Sequence, residues 1–227
     1  MNISKTVLDY IEQYPEDEPI FIEDIKKYVM EKCKDKEKEC VSKNINVILN
    51  RLKNRGIIKT EFKGVYYKPI ISMFGEMTLD TNKLRKLKYL EDREGNIKGY
   101  IIGAKLFNML GLTTLVPNVT DIVTNECKYH KRYDERLRIY ITKPKIPITN
   151  ENYRYLQFLD ILENKDNIPI EVDNENNILF DIIKECHLEY EKLIKYAKET
   201  NNKKALNKLL ILKKWKLFIK IIDFKIK

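Results

Sequence analysis

The chain has 227 residues, of which 43% are hydrophobic and 34% are charged, and its formal net charge is +9. This length suits two modest domains or one large one, and the apolar content is too high for a disordered chain. The positive charge favours nucleic acid or an acidic membrane surface as a partner, but no apolar run approaches the ~18 residues of a membrane span.

The first forty residues predict two helices with a short extended segment between them. Residues 3–14 place apolar side chains on one helical face and end at Pro15. Residues 19–21 are predicted to be extended, and a second helix is predicted over residues 23–33. Residues 34–39 are all charged, so we expect a solvated linker. Charged side chains interrupt the N-terminus from the start, which argues against a signal peptide and favours a cytoplasmic protein.

The next thirty residues predict a longer helix followed by a tight hairpin. Apolar side chains recur at helical spacing over residues 41–54, and Gly56 is placed to end the helix in a left-handed conformation. Two β-prone runs, 57–60 and 65–68, flank a turn that contains Gly64. Positive charge is concentrated here: residues 41–70 contain seven Lys or Arg and one acid, whereas residues 1–40 contain seven and eleven.

This order of elements is typical of a winged helix-turn-helix, with the longer helix as recognition helix and the hairpin as wing. A helical wheel puts amide and basic side chains opposite the apolar face. A solvated helix face with a structural hairpin is the alternative interpretation. The predicted DNA-binding residues are Ser42, Lys43, Asn46, Val47, Asn50, Arg51 and Asn54 on the helix, and Lys59, Lys63 and Lys68 on the hairpin.

Residues 70–80 are predicted to be irregular and to contain the boundary between two domains, 1–75 and 76–227. After it, the sequence predicts alternating short elements and then a helical end. The predicted elements are helices at 81–93 and 103–110, strands at 119–124 and 137–142, and helices at 150–163, 177–200 and 203–222.

The predicted fold class is therefore α+β and mostly helical. An N-terminal winged helix-turn-helix is followed by a mixed α/β and then helical C-terminal domain. The last helix is lysine-rich and amphipathic, so it is suited either to packing against the preceding helix or to lying on a membrane surface. We expect the packed arrangement and no membrane partner.

Reactive and metal-binding groups are sparse. The four cysteines are scattered without a C-x-x-C pair, and only two histidines accompany them, so we expect reduced thiols and no metal site. Cys186 and His187 are neighbours on a predicted helix and project about 100° apart, which is unsuitable for a nucleophile and its base.

A magnesium-dependent nuclease is the enzyme that the sequence best allows. Asp121, Glu126 and Lys128 form an acid followed by E-x-K, a set suited to holding magnesium and activating water. The gap between the two acids is short for convergence from adjacent strands, and E-x-K recurs at residues 61–63 and 163–165. No nucleotide-binding loop or nucleophile elbow is present. We expect no enzymatic activity and no cofactor.

The second third of the chain carries a more specific likeness. The run GLTTLVPNVTDIVTN at residues 111–125 resembles the AbiEi-type antitoxins of type IV toxin–antitoxin systems. The likeness covers roughly residues 3–142 in order. Two features depart from the family pattern: Leu115 stands where relatives usually have glutamine, and the C-terminal helices are unusually lysine-rich. The likeness is also carried by Gly99-Tyr100, Gly103, Asn108, Gly64-Val65-Tyr66-Tyr67, Pro69 and Phe74-Gly75.

The resemblance implies a transcriptional autorepressor that binds double-stranded DNA at its own promoter. It further implies an antitoxin that counteracts a nucleotidyltransferase-like toxin in a phage-defence module, and leaves open whether the two proteins touch. A stand-alone winged-helix transcription factor with a ligand-sensing or dimerising C-terminal domain is the alternative. The GLTTLVPN segment is suited either to binding or to a buried helix-to-strand connection.

Overall fold

The structure, a computed structural model, describes residues 2–32 and 38–226, except for the side chains of residues 38–40, 61 and 216–226. Cys33 and most of the predicted linker lie outside the described residues. The chain divides into two compact units, Met1–Leu84 and Arg85–Lys227. This division assigns residues 76–84 to the first unit, whereas the sequence predicted a boundary after residue 75.

The first unit is built on α1 (Ile3–Glu12), α2 (Ile22–Lys32) and α3 (Lys38–Asn54). Asn2 caps α1, because its side-chain oxygen accepts a hydrogen bond from the amide of Ser4 at 3.0 Å. The apolar stripes of the three helices meet in one core, as their helical spacing predicts. Its fully buried members include Val7, Ile11, Ile25, Val29, Val41, Ile45, Leu49 and Ile58.

A small antiparallel sheet closes this core. Its strands are β1 (Ile20–Phe21), β2 (Lys59–Phe62) and β3 (Val65–Tyr67), in the order β1-β3-β2. The β2–β3 turn needs glycine at position 64, because φ is +78° and a Cβ there lies 3.1 Å from Ile22 Cγ2. Element order in this unit is therefore helix, strand, helix, helix and hairpin.

The segment predicted to be irregular contains a second hairpin of two short strands, β4 (Ile71–Ser72) and β5 (Gly75–Glu76). Met73 and Phe74 occupy its tip with almost their whole surfaces exposed. Two-residue strands without alternation give little periodic signal, which is why the sequence did not predict them.

The helix predicted over residues 81–93 is shorter in the structure. α4 (Thr81–Arg85) continues as a π-helical turn, Lys86–Leu90. The chain then turns back, since Lys98 donates its amide to the carbonyl of Leu90 at 2.8 Å and Glu91 pairs with Ile97. Pairing with residues 97 and 98, just before the next strand, thus ends the helix before residue 93.

The second unit contains a four-stranded mixed sheet where the sequence predicted two strands. Its members are β6 (Gly99–Ile102), β7 (Thr120–Thr124), β8 (Lys131–Asp134) and β9 (Ile139–Thr142). The order is β6-β7-β9-β8, with β7 and β9 parallel and the other pairs antiparallel. Gly99 is required because a Cβ there lies 2.1 Å from the carbonyl oxygen of Tyr89.

Five helices complete this unit: α5 (Gly103–Met109), α6 (Tyr153–Asn164), α7 (Glu175–Glu185), α8 (Tyr190–Glu199) and α9 (Lys203–Ile226). The prediction of a single helix over residues 177–200 is wrong, because two helices, α7 and α8, lie there. His187 has φ of +50°, and the amide of Leu188 donates to the carbonyl of Ile183 at 2.8 Å, which ends α7 in a left-handed turn.

The larger core lies among α5, α6, α7, α8 and α9. Phe107 and Phe158 are its bulkiest fully buried side chains, and Leu209 on α9 is also fully buried. The described part of α9 therefore packs on α6 and α8. Within the described residues, the structure contains no helix of the length and apolarity that crossing a bilayer requires. The fold class is α+β.

Candidate nucleic-acid interface

The outward face of α3 carries the residues that the sequence predicted to bind DNA. Val41, Ile45 and Leu49 point into the core, so the opposite face is turned to solvent. On that face Val47 is 49% exposed and Ser42 is half-buried. The other exposed side chains of the predicted set on this helix are Lys43, Asn46, Asn50, Arg51 and Asn54.

The C-terminus of α3 fixes where the hairpin begins. Gly56 has φ of +73°, and Ile57 donates its amide to the carbonyl of Leu52 at 3.1 Å. Ile58 is then fully buried in the core of the first unit. The hairpin is therefore anchored directly beyond the last turn of α3, as the glycine stop predicted.

An open cleft of about 330 Å³ lies between α3 and the start of α1. Asn44, Val47 and Arg51 of α3 line it together with Asn2 and Ser4. Asn2, Ser4 and Asn44 were not predicted as site residues. The proximity of Asn2 and Ser4 to Arg51 depends on how α1 packs against α3, whereas Asn44 lies on α3 itself, two turns before Arg51.

The three predicted lysines of the hairpin are not equivalent. Lys63 is exposed beside the β2–β3 turn. Lys59 forms an ion pair with Glu76 of β5, and Lys68 is half-buried, with its carbonyl accepting a hydrogen bond from the amide of Asp17 at 3.0 Å. A phosphate group at Lys59 has to compete with the Glu76 carboxylate.

The two acids of the nuclease candidate lie in separate ion pairs. The Asp121 carboxylate on β7 lies 3.7 Å from the Lys131 ammonium. The Glu126 carboxylate, beyond the end of β7, lies 3.4 Å from the Lys98 ammonium. In the part of the chain that the structure describes, no group of three or more His, Cys, Asp and Glu side chains is placed to hold a metal ion.

The GLTTLVPN segment is partly buried and partly exposed. Leu112 and Thr113 are buried, and the amide of Thr114 donates to the Glu171 carboxylate at 2.8 Å. This hydrogen bond lowers the pKa of Glu171. Leu115 and Val116 are 44% and 73% exposed. The first half of the segment is thus buried, as the helix-to-strand connection requires. The second half exposes apolar side chains to solvent.

A cavity of about 120 Å³ in the second unit contains a polar pair that the sequence did not predict. The Tyr100 hydroxyl donates to the Asp160 carboxylate at 2.8 Å. Burial raises the pKa of Asp160 to about 6, and the nearby Glu163 also raises it, whereas the hydrogen bond from Tyr100 lowers it. Burial and the Asp160 charge raise the pKa of Tyr100.

Comparison with known proteins gives no independent assignment. A scan against protein-family models finds no match to the chain, and a search of curated proteins finds none either.

Proposed function

We propose that the protein is a DNA-binding transcriptional autorepressor that also acts as an antitoxin. The observation that supports the DNA-binding part is the outward face of α3, where amide and basic side chains stay exposed while the apolar face is buried. The hairpin β2–β3 follows directly, with Lys63 exposed at its turn. Helix, strand, helix, helix and hairpin is the order of a winged helix-turn-helix, with α3 as recognition helix.

On this proposal, Asn46 and Asn50 contact base edges in the major groove and Val47 contacts a thymine methyl group. Lys43 and Arg51 contact phosphates, as does Lys63 from the wing. The operator is a site in the protein's own promoter. Cytoplasmic localisation and the absence of enzymatic activity belong to the same proposal.

The antitoxin part rests on the resemblance to AbiEi-type antitoxins, which covers roughly residues 3–142 and is carried above all by residues 111–125. The partner on this proposal is a nucleotidyltransferase-like toxin encoded by the neighbouring gene. Leu115 and Val116 give the second unit an exposed apolar tip within that run, which suits contact with a protein. Direct contact is one route to neutralisation, and modification of the toxin and competition with it are the others.

DNA binding is tested by fluorescence anisotropy of the full-length protein on its promoter and on a random duplex of equal length. The double variant Lys43→Ala/Arg51→Ala should weaken binding to both duplexes, because it removes two phosphate contacts. The matched control is Lys184→Ala/Lys198→Ala, which removes equal charge from exposed positions of α7 and α8. Equal affinity of the two double variants contradicts the α3 interface.

Antitoxin action is tested by expressing the neighbouring gene alone and together with this protein, with growth as the readout. Restored growth on co-expression supports the proposal. Toxicity that persists despite accumulation of the folded protein contradicts it, and so does a neighbouring gene product without toxicity.

A stand-alone regulator with a ligand-sensing C-terminal domain is the second candidate. The cavity beside Asp160 favours it, since its lining combines apolar side chains with several polar groups, among them the Asp160 carboxyl and the Tyr100 hydroxyl. Repression that persists without any neighbouring toxin gene, and that a small molecule relieves, distinguishes this candidate from the first.

A further inference from the structure

One half of the sheet in the second unit carries aromatic side chains on an open face. Strand register puts Tyr100 and Ile102 of β6 on the same face as Tyr140 of β9 and Tyr133 of β8. The β6 half is covered, because Tyr100 is buried and bonds to Asp160 of α6. At the β8–β9 half, Tyr133 is 44% exposed and Tyr140 is 37% exposed.

The exposed tyrosines are held as a pair. Tyr133 and Tyr140 lie directly opposite each other in the antiparallel ladder, with ring centroids 4.8 Å apart and ring planes tilted by 41°. The Lys131 ammonium lies 4.4 Å from the Tyr140 centroid and 3.7 Å from the Asp121 carboxylate. We call Lys131, Tyr133 and Tyr140 the tyrosine platform. Tyr129, 70% exposed, precedes it in the chain.

The charge around the tyrosine platform is strongly positive. Residues 127–143 contain six Lys or Arg and two acids, and all six basic residues are exposed. Arg132 and Asp134 alternate with Tyr133 along β8 and lie on the opposite face, where Arg132 bonds to the Tyr89 hydroxyl. One of the acids, Asp134, already forms an ion pair with Lys88 and accepts a hydrogen bond from the Tyr89 hydroxyl. Most of the net charge also lies in this unit: residues 85–227 hold 28 basic and 20 acidic side chains, against 15 and 14 in residues 1–84.

We propose that the tyrosine platform is a binding site for single-stranded nucleic acid, on which unpaired bases stack while the surrounding Lys and Arg contact phosphates. Stacking on aromatic rings needs bases that are not already stacked in a duplex, and it is tolerant of sequence. Exposed rings on a sheet face among cations supply both parts of such a site. This site consists of residues of the second unit alone and does not depend on the DNA-binding proposal for α3.

The open face suits single strands better than duplex DNA. Base edges in a duplex are reached through the grooves by a helix or a β-ribbon, whereas the tyrosine platform offers partly exposed aromatic rings, which unpaired bases can contact. A cross-strand tyrosine pair also stabilises a small sheet, by roughly 0.2–1 kcal/mol. The test must therefore separate loss of stacking from loss of fold.

The experiment measures anisotropy of labelled oligouridylate and oligothymidylate of about ten nucleotides, within the usual site size of such surfaces. It uses the full chain in the Lys43→Ala/Arg51→Ala background, so that α3 contributes little. Tyr133→Leu/Tyr140→Leu keeps apolar cover on the sheet but removes both rings. Tyr133→Phe/Tyr140→Phe keeps the rings and is the matched control.

We expect the Leu variant to bind both oligonucleotides at least tenfold more weakly and the Phe variant to bind like the background protein. Tighter binding of the uridylate identifies RNA as the partner, and tighter binding of the thymidylate identifies DNA. A folded Leu variant with unchanged affinity overturns the proposal, as does a background protein that binds neither oligonucleotide.

A second measurement covers a Leu variant that fails to fold. Oligonucleotides containing 5-iodouracil are photo-crosslinked to the background protein, and the modified peptides are mapped by mass spectrometry. Crosslinks in the peptide that spans residues 129–143 support the tyrosine platform. Crosslinks confined to peptides elsewhere in the chain overturn it.

Discussion

At the scale of single residues, Asn50 is the strongest candidate for reading bases. It is exposed on α3 one helical turn after Asn46, and an asparagine amide can donate and accept at an adenine edge. We expect Asn50→Ala to weaken operator binding by about 1–3 kcal/mol while leaving binding to a random duplex nearly unchanged. Titrations on both duplexes measure this. Equal losses on the two duplexes are incompatible with base readout by Asn50.

Asp160 gives the protein a predictable dependence of stability on pH. Burial raises its pKa from 3.8 to about 6 in the folded state, so the folded protein holds this proton more tightly than the unfolded chain. Stability from this group is therefore present at low pH and lost as pH rises through about 4 to 6. The difference amounts to at most about 3 kcal/mol, since one pKa unit is worth about 1.4 kcal/mol.

The Asp160→Asn variant should lack this dependence, because an amide keeps an acceptor for Tyr100 and does not ionise. Urea unfolding at pH 4.5 and 7.5 measures the contrast with the parent protein. Tyr100→Phe is the control: it removes the hydrogen bond that lowers the Asp160 pKa, so the dependence should persist and move to higher pH. Parallel pH profiles for Asp160→Asn and the parent contradict the assignment.

The sequence predicted exposed residues better than paired ones. The α3 face follows from helical periodicity, and the structure exposes that face as predicted. The Tyr100–Asp160 pair joins residues sixty positions apart, and the Lys59–Glu76 pair depends on a hairpin of two-residue strands. Neither pair of residues is related by the repeat of a helix or a strand, so the sequence pattern could not predict either contact.

At the scale of elements, the β2–β3 hairpin, which we propose to act as a wing, should respond oppositely to two charge changes. Lys63→Ala removes an exposed cation beside the β2–β3 turn, and we expect weaker binding to all duplexes with a salt slope shallower by about one. Glu76→Gln releases Lys59 from its ion pair, so it should strengthen binding to all duplexes. Both expectations are tested by measuring DNA affinity across a salt series, with Lys184→Ala as the charge control. If the hairpin contacts no DNA, the salt slopes of Lys63→Ala, Glu76→Gln and Lys184→Ala are equal.

The predicted element boundaries were wrong where tertiary contacts outweighed the local sequence pattern. Residues 177–200 contain no glycine or proline, so periodicity alone predicted one helix. The structure breaks it at His187, and the following Leu188 is buried in the core of the second unit. β8 is polar apart from Tyr133, so it lacks the alternation that marks a strand and depends on pairing with β9.

At the scale of the whole molecule, two units with separate cores predict that repression and neutralisation are separable. The contacts divide after Leu84. Residues 80–83 are tied to the first unit, because Asp80 donates its amide to Asp17 at 3.3 Å and Lys83 lies 3.7 Å from the same carboxylate. A fragment of residues 1–84 should therefore be more stable than one of residues 1–78, although the exposed ion pair adds at most about 1 kcal/mol.

We expect the fragment 1–84 to bind operator DNA more weakly than the full chain, and to give no protection from the partner toxin. The fragment 85–227 should protect without repressing, because it retains the GLTTLVPN segment and lacks α3. A growth-rescue assay and a promoter reporter are run on both fragments, with circular dichroism as the check on folding. A folded 85–227 fragment that gives no rescue, beside a full chain that does, means that neutralisation requires the first unit. In that case, the two activities share one surface or one assembly.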